Sequence, residues 1–498
     1  MAFKRRIEKL LIFCFIVAVF LPLLLSNKVG GQVSSVEKRT LAKFPSFFNQ
    51  DGSVTLSGTR SGLENWINDN AAFRLPMQKL NADLTFNLFH SSPSSKVKIG
   101  KNGWYYYTGD NNLEIASGTY PMTQDTLEKI KEAQVAIQQV LKKKGITYVL
   151  VLTPSKVSVY PENLVGDFQV RQTVIDEVAD YLTKNTTIPV INLKNDLLKA
   201  KQKQTVYFKT DTHWNQVGAY VGYSAIINRL NDLGIIDSKP TDITTYPSTH
   251  KGEFSVMMGD ADLLPAEPFQ ATKIISPKAE RLESGDLYNE IDSLDQTNYV
   301  YKPFYLYHNP SVQNKKLLIY GDSFFEKWNV DQLFAQNFSD LTYIWSYCIR
   351  NNVVNAVKPN IVILEQTERY ITNLANDPDP YLLNEPLQNP QAQIVSTTTP
   401  TQIERGKMYD IDITVKNIGT ESWSEKQMIR LCIFQDGKDW GYRVKLPDGV
   451  EVKPGEQYTF TLHDFRDPPN NTTYLEYQMA QEGIQYFGQK QRVDITVK

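Results

Sequence analysis

The stretch "KLLIYGDSFFEKW", residues 316–328, decides the fold. Leu317 to Tyr320 form a short, uninterrupted apolar run, the pattern of a strand buried on both faces. Gly321 permits a tight turn at its carboxyl end, and Ser323 follows at once. Comparable runs occur in "ITYVLVLTP" (146–154), "IPVINL" (188–193), "LTYIW" (341–345) and "NIVILEQ" (360–366). Helical segments separate them. One runs from a Thr123 N-cap to Gly145 with Leu127, Ile130, Ile137, Val140 and Leu141 on one face; others lie near 171–186 and at 218–234. Strands alternating with helices predict an α/β fold with a mostly parallel sheet covered on both faces. Ligands bind such sheets at the carboxyl ends of strands, which is where Ser323 falls, at the start of a helix with free N–H groups.

Working outward, the chain of 498 residues is long enough for two or three domains. Residues 96–375 hold the α/β pattern. Residues 376–400 contain five prolines without periodicity and read as a linker. From 401 to 498 the period changes to two: Tyr409, Ile411, Ile413 and Val415; Tyr458, Phe460 and Leu462; Leu475, Tyr477 and Met479; Val493, Ile495 and Val497. Turn signals separate these runs, and the pattern predicts an all-β sandwich. Residues 29–95 read as a polar tether followed by an amphipathic helical lead-in. "NG" at 102–103 marks a hairpin just beyond it.

Residues 1–28 combine Lys4, Arg5, Arg6 and Lys9 with an apolar run at 10–25. This reads as an uncleaved membrane anchor, with the remainder outside the cytoplasm by the positive-inside rule. With 53 basic and 55 acidic residues, the net charge of −2 gives no electrostatic reason to expect nucleic acid. The three cysteines make neither a disulfide framework nor a zinc motif, and no metal is expected.

The chemistry is sharpest in "YFKTDTHWN", 207–215. In an extended segment Asp211 and His213 would point the same way, so the carboxylate could hold one imidazole nitrogen and leave the other as a base. Ser323 would be the nucleophile that this pair lacks. An Asp-x-His pair and a turn serine are each ordinary alone; together they are complementary. Trp214 shields the pair or belongs to the core.

Six ordered blocks carry a resemblance: "NDNAAFR" (68–74), "IGKNGWYYY" (99–107), "VLTPSKVSVYPE" (151–162), "YFKTDTHWN", "LLIYGDSF" (317–324) and "KPNIVILEQTERYI" (358–371). The chain resembles the alginate O-acetyltransferase group of SGNH-hydrolase-like proteins. That resemblance implies Ser323 as nucleophile, His213 as base and Asp211 as orienting residue. Arg369 and Tyr370, with Asp322 and Trp214, are candidate substrate or oxyanion contacts, and Glu368–Arg369 reads equally well as a structural pair. The resemblance also implies acetyl transfer to a cell-surface or secreted polysaccharide. It implies no bound cofactor, because acetyl-CoA is not expected outside the membrane, and a multi-spanning acyltransferase partner as acetyl donor. An acetyl esterase with the same three residues and a non-catalytic scaffold are the alternatives. The C-terminal region resembles an immunoglobulin-like domain of the four-tryptophan type.

Overall fold

Seven strands build the central sheet of the computed structural model, which describes residues 2–26, 31–32, 40–46, 59–166, 168, 172–295, 303–313, 315–376, 384, 386–466, 468, 472–482 and 484–498. A short hairpin, β1 (Val97–Ile99) and β2 (Tyr105–Tyr107), precedes the sheet. Its turn uses left-handed backbone at Asn102 (φ 56°) and Gly103 (φ 78°), as an Asn-Gly turn requires. In chain order the next strands are β3 (Thr147–Thr153), β4 (Val190–Asn192), β5 (Ile243–His250), β6 (Glu267–Ile274), β7 (Glu280–Leu282), β8 (Phe304–His308), β9 (Lys316–Gly321), β10 (Asp340–Trp345) and β11 (Ile361–Thr367).

The sheet order is β4-β3-β11-β9-β10-β8-β7. The first five run parallel; β8 pairs antiparallel with β10, and β7 pairs antiparallel with β8. The parallel strands are buried on both faces because alternate residues enter two separate cores. Val149, Val151, Leu317, Ile319, Ile361 and Ile363 join one; Tyr148, Leu150, Leu152, Leu318, Val362 and Leu364 join the other. Full burial of one such aliphatic side chain contributes roughly 1.5–3 kcal/mol. This is why these strands read as unbroken apolar runs.

The helix Gln124–Lys143 begins at Thr123, whose hydroxyl accepts the Thr126 N–H at 3.1 Å, and ends before Gly145 at φ 74°. Leu127, Ile130, Ile137 and Leu141 are buried, while Val140 is only half-buried. The helices at Val174–Asn185 and Gln216–Asp232 match the remaining helical segments of the sequence. The antiparallel strands β7 and β8 and the β5–β6 hairpin were not legible. Most of β5 is exposed and contains Pro247, so it carries no alternation to read.

Residues Ala2–Leu24 are helical, with Pro22 inside. Among the described residues, however, no helix is long and apolar enough to cross a membrane, so the expected anchor is not supported. An apolar run of about 16 residues spans only about 24 Å as a helix, short of the ~30 Å hydrocarbon core. Most of the expected tether lies outside the described residues. The lead-in forms two helices, Thr59–Asn70 and Arg74–Asp83.

Beyond residue 391 the chain is β-rich, beginning with a strand at Ala392–Thr397, inside the segment expected to be linker. A three-stranded sheet (Ala392–Thr397, Tyr409–Asn417, Gln457–Phe465) and a four-stranded sheet (Lys438–Lys445, Ile429–Gln435, Tyr474–Gln481, Gln485–Asp494) share one core. Ile411, Ile413, Val415 and Phe460 meet Leu431, Ile433, Tyr477, Met479 and the fully buried Trp423 there.

Candidate active site

Ser323 opens a short helical turn directly after β9. Asp322 caps that turn, its carboxylate accepting the Phe324 N–H at 2.9 Å. Because β9 lies between β10 and β11, the serine sits at the carboxyl edge of the sheet's centre, half-buried.

Residues 208–213 form a tight loop rather than the extended segment that the Asp-x-His spacing suggests. The Phe208 N–H closes it onto the His213 carbonyl at 3.2 Å. The turn lets Asp211 Oδ1 accept both the His213 backbone N–H (3.1 Å) and the ring Nδ1 (2.6 Å). The far ring nitrogen, Nε2, lies 2.8 Å from Ser323 Oγ. With Asp211 ionised, Nδ1 carries the proton and Nε2 is left to accept from the hydroxyl. Burial works to raise the Asp211 carboxyl, but hydrogen bonds from His213 and His250 outweigh it and hold the group well below the usual carboxylate range.

The loop is fixed from below by Lys156, in the turn after β3. Its ammonium donates to the carbonyls of Phe208 (3.1 Å), Lys209 (3.0 Å) and Asp211 (2.6 Å). Burial pushes this lysine down to about 7, against the opposing pull of Asp211, Glu267 and Glu253. The rings of Phe254, Tyr106 and Trp104 surround it at 4.6–5.7 Å.

Other buried acids lie at the ends of the central strands. Glu365, on β11, accepts the Asp322 N–H at 3.1 Å, and burial beside Asp322 raises it well above the usual range. Thr367 donates to Asp322. Glu368 accepts from Ser155 N–H (2.8 Å) and Ser158 Oγ (2.6 Å), and burial pushes it up to about 7. Its partners are therefore the two serines of the "TPSKVS" turn rather than Arg369.

Asp211, His213 and Ser323 thus stand in one hydrogen-bonded line. Arg369 lies beside them, its guanidinium 5.9 Å from the Phe324 ring and 5.0 Å from that of Tyr370. Its Nε is buried without a hydrogen-bond partner. Tyr370 is half-buried and reaches Asp110 at 3.2 Å. Two further candidates lie in the interior. Trp214 is fully buried and donates to the Phe324 carbonyl at 3.2 Å, so it is a core residue under the serine turn. Asp322 is also buried, its carboxylate engaged by the cap and by Thr367.

Sequence reasoning did not single out His250, Glu253 or Lys156. Each reaches the loop through contacts 39 to 55 positions apart, which no local spacing encodes. Ligand atoms of Asp211, His213 and Glu253 lie within 4.8 Å of one another.

Residues 97–292 match the family model described as the SGNH hydrolase-like domain of acetyltransferase AlgX. The match takes in Asp211, His213 and His250 and stops before Ser323 and before the β-rich region, so it lends no support to an immunoglobulin-like assignment there. The chain is similar to the probable alginate O-acetylase AlgJ of Pseudomonas aeruginosa, 27% identical over 34% of this chain and 43% of that protein. It is also similar to AlgJ of Pseudomonas fluorescens, 24% identical over 73% of this chain and 91% of the relative. The chain thus spans less than half of the first relative's length and nearly all of the second's. The solved O-acetyltransferase domain of Pseudomonas putida AlgJ aligns at 17% identity and TM-score 0.38, covering 57% of this chain and 93% of that one.

Proposed function

We propose that the SGNH-like domain transfers acetyl groups to hydroxyls of a polysaccharide through an acyl-serine at Ser323. The observation that carries this reading is the line from Ser323 Oγ to His213 Nε2 (2.8 Å) and from Nδ1 to Asp211 (2.6 Å). As the Ser323 oxygen attacks the acetyl carbonyl, its proton passes to Nε2; the imidazolium then protonates the departing group of the donor. In the second half a sugar hydroxyl gives its proton to Nε2 and attacks the acetyl-serine, and Ser323 leaves with that proton. Asp211 fixes the ring and stabilises the imidazolium without taking the proton itself. The Ser323 N–H, at the start of its turn, supports the oxyanion, with Arg369 as a neighbouring positive charge.

The alginate O-acetylase names of the relatives make a polysaccharide the preferred acceptor. The same likeness favours work outside the cytoplasm, where a membrane acyltransferase would deliver the acetyl group. The test is an acetyl transfer assay with a chromogenic acetyl ester and an oligosaccharide acceptor. Acetylated oligosaccharide, with one acetyl mass trapped on Ser323, is expected. Release of acetate alone, with no acetylated acceptor across a panel of glycans, would replace the reading with an esterase. Full turnover in Ser323→Ala would remove it altogether.

A further inference from the structure

We propose that His250, carried on the β5–β6 hairpin, is a positioning residue that locks the second oxygen of Asp211 and thereby aims His213 at Ser323. This inference rests on the reading above. A carboxylate held at one oxygen can still turn about its Cβ–Cγ bond. Asp211 is held at both. Oδ1 takes the two His213 donors, while Oδ2 takes His250 Nε2 at 2.9 Å and the Glu253 N–H at 3.3 Å. Because Asp211 accepts, His250 must carry its proton on Nε2.

The His250 ring is itself immobilised. It stands 4.1 Å from the Phe208 ring, 4.9 Å from Trp328 and 6.4 Å from Phe269, between centroids. Directly across the hairpin from His250 is Glu267. The Glu267 carboxylate accepts the Lys209 N–H (2.9 Å) and the Thr210 N–H (2.8 Å). Just past β5, the Phe254 N–H donates to the Thr210 carbonyl at 3.1 Å. Gly252 packs so closely there that an added Cβ would fall 1.9 Å from that carbonyl oxygen. The hairpin therefore grips the loop at its backbone through Glu267 and Phe254, and at its functional carboxylate through His250. A merely structural hairpin would need only the backbone grip.

Side-chain reach makes the inference testable. A Gln amide nitrogen extends about as far as an imidazole Nε2, whereas Asn falls short and Phe keeps the ring without a donor. His250→Phe is expected to lower kcat on a small acetyl ester about ten- to hundredfold with KM unchanged, the loss of one hydrogen bond to a charged group. His250→Gln should return to within about threefold of wild type and His250→Asn should not. In an Asp211→Ala background, His250→Phe should add nothing, because it acts only through that carboxylate. The low-field proton resonance of His213 Nδ1–H should move in the Phe variant and return in the Gln variant. Wild-type turnover in His250→Phe, or equal losses in the Gln and Asn variants, would overturn the proposal. If the Phe variant does not fold, the Gln–Asn comparison decides. Ser323→Ala, run alongside, separates the two ideas: full turnover there ends the acyl-serine reading, whereas an inactive Ser323→Ala beside a fully active His250→Phe ends only this one.

Discussion

At the carboxyl ends of β3, β9 and β11, Lys156, Asp211, His213, Asp322, Glu365 and Glu368 are all buried. In the β-rich region from 386 onward, the buried polar residues among those described are Asn417, Arg430, Gln435, Thr472 and Gln481, and only Arg430 bears a charge. Arg430 is matched at once by Glu425, two nitrogens meeting its two oxygens at 2.6 and 2.8 Å. Asn417 stitches backbone, donating to the carbonyls of Glu421 and Val452 at 2.9 Å each. Polar burial in the second region therefore completes turns and edges. In the first it gathers ionisable groups whose proton affinities are displaced in opposite directions: Asp211 down, Glu365 and Glu368 up, Lys156 down. Stability alone does not call for such groups, because desolvating each costs several kcal/mol. Displaced proton affinities gathered in this way mark the first region as the candidate site, and their absence marks the second as organised for packing.

The largest effect that would break this contrast lies at the serine. Ser323→Ala and His213→Ala should each cut ester turnover by at least about 10³-fold, and the double variant should be no worse than either single one. Melting temperatures should hardly change. Additive losses would mean that the two side chains do not act as a unit.

Trp423→Ala is the mirror experiment. It empties the fully buried centre of the β-rich core and should cost about 3–5 kcal/mol of that region's stability in denaturant titration. Ester turnover should be unaffected below the transition. A parallel loss of turnover would show that the two regions are coupled.

Glu368→Gln sharpens the comparison through pH. With Glu368 raised from 4.5 to about 7, the folded chain binds more protons than the unfolded chain between those values. Wild-type stability should therefore fall as pH rises through that window and level off above it. The Gln variant lacks this term, so its advantage should grow from nothing below pH 4.5 to about 3 kcal/mol above pH 7. Parallel melting curves at pH 5 and pH 8 would contradict it.

Tyr370→Phe should have the smallest effect. Its hydroxyl reaches exposed Asp110 beside Arg369, so stability should hold. If the ring edges the acceptor site, KM for an oligosaccharide should rise about two- to fivefold at constant kcat. No change would confine the site to the neighbourhood of Arg369 and Ser323.

Much of the fold was legible because parallel strands buried on both faces cannot hide their composition. The runs at 147–153, 316–321 and 361–367 announce themselves, as does the Thr123 cap. The β5–β6 hairpin did not, because the mostly exposed β5 with its Pro247 leaves no periodic trace. Asp211, His213 and Ser323, which the fold brings into one hydrogen-bonded line, were picked out by residue type and position. His250 and Lys156 were not, since the former looks like any surface histidine and the latter like any helix-start lysine. Trp214 was ambiguous in sequence and proves to be core.

The alternation of strand and helix, the change to period two near residue 400 and the chemical kinds of residue available can all be read from the chain, because these depend on local pattern and composition. Folding alone brings His213 Nε2 to a serine 110 positions away at 2.8 Å and sets His250 on the other oxygen of Asp211. Those contacts depend on strand order and loop path. Both are set by how two apolar cores close around one sheet, and no spacing along the chain records that closure.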